Sequence, residues 1–142
     1  MKASPFIAAS AAVILFLGLS HLLYTFRGPT LHPRDPDLTV KMMTVPPVIS
    51  RETTMWRVWV GINATHSFGL ILFGVLYGYF AMRHSAFLFH SAFLLALGFA
   101  LLLGYAVIAK LYFFTAPFRG LVLAAVLYLL GVVINLAQSQ SG

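Results

Sequence analysis

Charged side chains all but vanish from four stretches of this chain, 5–26, 55–82, 85–109 and 118–137. Each reaches the roughly 20 residues that a helix needs to cross a hydrocarbon core about 30 Å thick. The alternating short segments of a spanning β-barrel, the other fold that satisfies a lipid-exposed backbone, are missing. The pattern predicts an all-α protein, one transmembrane domain over residues 1–142. Because the later connections are short, successive helices should be antiparallel neighbours in an up-down-up-down four-helix bundle.

The connection 27–54 breaks the pattern. It holds all three acidic residues, Asp35, Asp37 and Glu52, and five of the seven prolines. Asp35-Pro36 is a helix start, with Asp as N-cap and Pro at the first helical position. Leu38, Met42 and Val45 then recur at i, i+4 and i+7, giving a short amphipathic segment on the membrane surface or over the bundle. Pro46-Pro47 ends it. Ser50 is placed to cap the next helix, which enters behind a collar of Arg51, Glu52 and Arg57. Arg83-His84 marks the second turn, and 110–117 the third, with Tyr112, Phe113 and Phe114 as an interfacial aromatic belt.

One polar stripe interrupts the second apolar stretch. Trp56, Trp59, Asn63 and His66, at spacings of three, four and three, share a helix face. Polar groups at membrane depth are costly without partners or a task. The first stretch carries a matching face in Gly18, His21 and Thr25. Counting inward from Arg27 and Arg57, His21 and Asn63 both lie about 9 Å deep, with His66 about one turn deeper. Thr25 and Trp59 share a shallower layer. Tyr105 and Tyr128 reach comparable depth when counted from Lys110 and Arg119, whereas His90 and Asn135 fall near the opposite interface. The candidate ligand-binding set is therefore His21, Thr25, Trp56, Trp59, Asn63, His66, Tyr105 and Tyr128.

Three readings of that set stand side by side. The first is structural: side chains that hydrogen-bond across membrane helices fix their pairing, and Gly74-xxx-Gly78 allows close approach. The second is an apolar pocket with a few convergent polar groups, taking the head of a quinone, an isoprenoid or a lipid. The third is a haem b held by His21 and His66, with Gly18 and Gly69 leaving room for the macrocycle. Catalysis has little to work with. No carboxylate lies in any apolar stretch, and Ser67 diverges from its neighbour His66 on a helix. His32, Asp35 and Asp37 lack a recognised metal-ligand spacing, so no metal is expected.

Composition sharpens the membrane reading. Hydrophobic residues make up 61% of the chain and charged residues 8%, against about 25% charged in a soluble domain. The net charge of +6 comes from cations at the ends of the apolar stretches, suited to lipid headgroups. No basic run or stacking platform suggests nucleic acid. Arg27, Arg34, Lys41, Arg51, Arg57, Lys110 and Arg119 lie on the side of the first and third connections, Lys2 and Arg83 on the other. That asymmetry predicts non-cytoplasmic termini. With no cysteine, thiolate chemistry is excluded. The Met1-Lys2 start precedes an apolar run too long for a cleaved leader, so it reads as a retained first span.

The run Gly61-Ile62-Asn63-Ala64-Thr65-His66-Ser67-Phe68-Gly69, with His21 before it and Met42 in the connection, resembles a small family of uncharacterised bacterial four-helix integral membrane proteins. The layout is also similar to that of DoxX-like proteins. The resemblance implies a bacterial inner-membrane setting and carries no activity. The expectation is an accessory or assembly subunit whose partners are the bilayer and larger membrane subunits, rather than a stand-alone enzyme. A binder or enzyme for a lipid-soluble substrate is the alternative.

Overall fold

The computed structural model describes residues 2–140; the expected start at Met1 lies outside them, as does Gly142. Among the described residues six helices follow in order: α1 (Ser4–Phe26), α2 (Pro36–Thr44), α3 (Met55–Arg83), α4 (Ser85–His90), α5 (Ala92–Tyr112) and α6 (Thr115–Gln140). Among the described residues there is no strand. Four of these helices, α1, α3, α5 and α6, are long and apolar enough to cross a membrane.

The predicted third stretch, 85–109, divides into α4 and α5. The break falls at Ser91, whose backbone is extended (φ −97°, ψ 95°) and whose hydroxyl accepts from the Leu94 N–H as an N-cap. A sequence signal for it exists: Ser85-Ala86-Phe87-Leu88 recurs as Ser91-Ala92-Phe93-Leu94, and each copy opens a helix. The cap of α3 also moves from its expected place. Thr54, one residue before the helix, accepts from Arg57 N–H at 3.4 Å, while Ser50 accepts from Glu52 N–H within the preceding turn. At α2 the cap is the expected one, with Asp35 accepting from Asp37 N–H at 2.9 Å.

The chain forms two compact units. The first comprises residues 2–17 and 70–140. Its core holds Ile7, Ile14, Leu88, Leu102 and Tyr128, all fully buried. Small residues let the helices approach. A Cβ on Gly74 would lie 2.7 Å from Leu15 Cβ and 2.9 Å from the Ala11 carbonyl, and one on Gly131 would lie 2.8 Å from Ile7 Cγ1. Gly98 lies directly beneath the rings of Tyr77 and Tyr128. Three hydroxyls here are spent on the backbone of another helix. Ser10 donates to Ala124 O (2.7 Å), Tyr77 to Leu94 O (2.8 Å) and Tyr128 to Leu95 O (3.1 Å). Where α5 turns into α6, the Lys110 ammonium lies 5.2 Å from the centre of the Phe118 ring, a cation–π contact.

The second unit is residues 18–69. It contains the last turns of α1, the connection with α2, and the first half of α3. Gly28, the only residue with positive φ (77°) among those described, turns the chain out of α1. Helix α2 has no buried residue.

Candidate functional site

The predicted polar stripes lie largely in the second unit, and the side chains at its centre touch. His21 Nε2 is 3.0 Å from Asn63 Oδ1. The Asn63 amide nitrogen donates to the Trp59 carbonyl at 2.8 Å. That second bond fixes the first, because a carbonyl accepts only from the NH2 end of an amide. Oδ1 must therefore face His21, and since it can only accept, His21 carries its proton on Nε2. In its neutral form the ring would then carry its lone pair on Nδ1.

His66 stands beside His21, the ring centres 5.2 Å apart and the planes at 77°. Thr25 turns its hydroxyl to its own helix, donating to His21 O at 2.8 Å. Ser67 is fully buried and donates to Asn63 O at 2.9 Å. This back-bonding satisfies hydroxyls inside an apolar helix.

The two tryptophans reach the connection. Trp59 Nε1–H donates to Leu31 O at 3.2 Å, and the ring of Trp56 meets that of His32 edge-on at 4.6 Å. Between them the surface folds into a trough of about 280 Å³ lined by Leu31, His32, Pro33, Met42 and Trp59. Leu31, His32 and Pro33 escape sequence reasoning, since nothing in a Pro-rich connection says which indole it will lie against. Tyr105 and Tyr128 belong to the first unit. Tyr128 is fully buried there, with its hydroxyl committed to Leu95 O.

For the haem reading, the relevant geometry is that the His21 and His66 ring centres stand 5.2 Å apart, edge to face, with Asn63 Oδ1 3.0 Å from the Nε2 of His21. Among the described residues no three His, Asp or Glu side chains converge as a metal site. In the connection, Asp35 is occupied as the cap of α2.

No protein-family model, no curated protein and no solved structure matches the chain. Its chemistry has to be argued from its own side chains.

Proposed function

We propose that this chain is an integral protein of a bacterial inner membrane, an accessory or assembly subunit whose His21–Asn63 seam holds two membrane helices in register. The four long apolar helices would form an up-down-up-down bundle. The contact order supports this: on α3, Gly74 meets Leu15 and Gly78 meets Ala11, while on α6, Gly120 meets Leu17 and Gly131 meets Ile7. Numbers fall along α1 as they rise along both partners. The excess of cations on the first and third connections favours non-cytoplasmic termini, which a reporter fused after Gly142 would check.

The observation that carries the structural role is the use of Asn63. Both ends of its amide are engaged, one with His21 across 42 positions of sequence and one with the Trp59 carbonyl. Polar groups tied in this way act as pairing glue between membrane helices. No carboxylate lies within the four long helices, which leaves a proton relay or cation path without its usual residues.

A second reading, a binder for a quinone, isoprenoid or lipid, draws on the trough at Leu31, His32, Pro33, Met42 and Trp59. Its walls are mainly apolar with an imidazole at one edge, the makeup of an amphiphile site. Native mass spectrometry of gently solubilised protein distinguishes the two. The accessory role expects a larger membrane subunit to accompany the chain. A small organic molecule retained by the isolated protein, and lost in Trp59→Ala, would put the binder in its place.

A further inference from the structure

Outside the long helices, the two most exposed large apolar side chains are adjacent. Val48 is 109% exposed and Ile49 94% exposed, at the tip of the turn joining α2 to α3. We infer that this tip is an interfacial anchor, with Val48 and Ile49 inserted at the boundary between lipid headgroups and acyl chains. The inference goes beyond the seam and does not rest on it.

Three features of the loop point to lipid as the occupant. The first is its placement. Met55 N–H donates to Val45 O at 2.9 Å, closing the loop at its base beside the start of α3. That helix is long and apolar enough to cross a bilayer, so a loop closed at its first residue stays near the membrane surface. An extended residue spans at most about 3.6 Å, and only a handful separate tip from base.

The second is the backbone. An apolar tip enters the headgroup boundary more cheaply the fewer of its amides depend on water. Pro46 and Pro47 have no N–H to satisfy. Ser50 N–H donates to Pro47 O, and Glu52 N–H to the Ser50 hydroxyl. Two prolines and two internal bonds thus account for four of the nine positions from Pro46 to Thr54.

The third is the flanks. Lys41 and Arg51 stand on either side of the tip in sequence, and exposed Val40 and Met43 share one face of α2 at i, i+3. Apolar side chains bracketed by cations suit the surface of an anionic leaflet.

The chain has no cysteine, so single substitutions report without background. Ile49→Cys and Val48→Cys, with exposed Thr30→Cys as reference, would be placed in nanodiscs of phosphatidylcholine and phosphatidylglycerol. They would then be reacted with a charged, membrane-impermeant maleimide. Both side chains at 48 and 49 are exposed, so the fold should tolerate the changes. The anchor expects alkylation at 48 and 49 to be at least about tenfold slower than at 30, the scale set by withdrawing one large aliphatic side chain from water. A fluorophore at 49 should also be quenched more by spin labels on shallow acyl carbons than by an aqueous nickel chelate. Rates equal to the reference, with quenching by nickel, would overturn the inference. Such a tip would stand in water, or would be covered only by a protein partner absent from the nanodisc.

Discussion

The two units handle polar groups in opposite ways. In residues 2–17 and 70–140, the hydroxyls of Ser10, Tyr77 and Tyr128 donate singly to carbonyls of another helix, and glycines bring the helices together. Each such carbonyl already has its helical partner, so the extra bond adds cohesion without creating a dependent. In residues 18–69 the bonds form a chain, from Trp59 O to the Asn63 amide to the His21 ring. The side chains there are half-buried and one edge opens on a trough. A chain of bonds fixes tautomer and register as well as distance, because removing one member strands the next. The first unit is held by close packing, the second by hydrogen-bonding specificity.

The largest expected effect breaks the packed side of that contrast. Gly74→Val places side-chain atoms where Leu15 Cβ and the Ala11 carbonyl already stand. Overpacking against backbone should cost about 3 kcal/mol or prevent folding, read as a loss of thermal stability in detergent. Gly98→Ala should follow it, since the rings of Tyr77 and Tyr128 fill that space. Gly104→Ala is the matched control, with nothing within 4 Å of the new methyl. It should leave stability within about 1 kcal/mol or raise it slightly. If Gly104→Ala and Gly74→Val behave alike, the close approach is not what holds this unit.

A middling effect is expected at Tyr128→Phe. The ring keeps its burial while the bond to Leu95 O disappears, costing about 1 kcal/mol in the same assay. The smallest effect is spectroscopic. Nitrogen-15 spectra of labelled histidine should show His21 protonated at Nε2 and bare at Nδ1 in the neutral ring. In Asn63→Leu that preference should relax. An Nδ1-protonated His21 in the unsubstituted protein would mean that the Asn63 amide does not stand as described.

Much of the second unit was legible in the sequence, for a geometric reason. Helices advance by a fixed rise, so counting from Arg27 and Arg57 brought His21 and Asn63 to one level, and their side chains meet. What counting could not see was the connection. The contacts of Trp59 with Leu31 and of Trp56 with His32 depend on how an irregular segment folds back, and no periodicity encodes that. Depth gives a level but not a partner: the hydroxyls of Thr25 and Tyr128 each meet a backbone carbonyl at that level. Hydropathy does not mark the break at Ser91, because one small polar residue barely disturbs an apolar run; only the repeated Ser-Ala-Phe-Leu does.

The most direct test of the seam as pairing glue is a double-mutant cycle on His21→Ala and Asn63→Ala, read as unfolding free energy in a mild detergent or bicelle. The account expects each single change to destabilise the protein, with a coupling of about 1 kcal/mol between them. Strict additivity, with single mutants as stable as the parent protein, would contradict it.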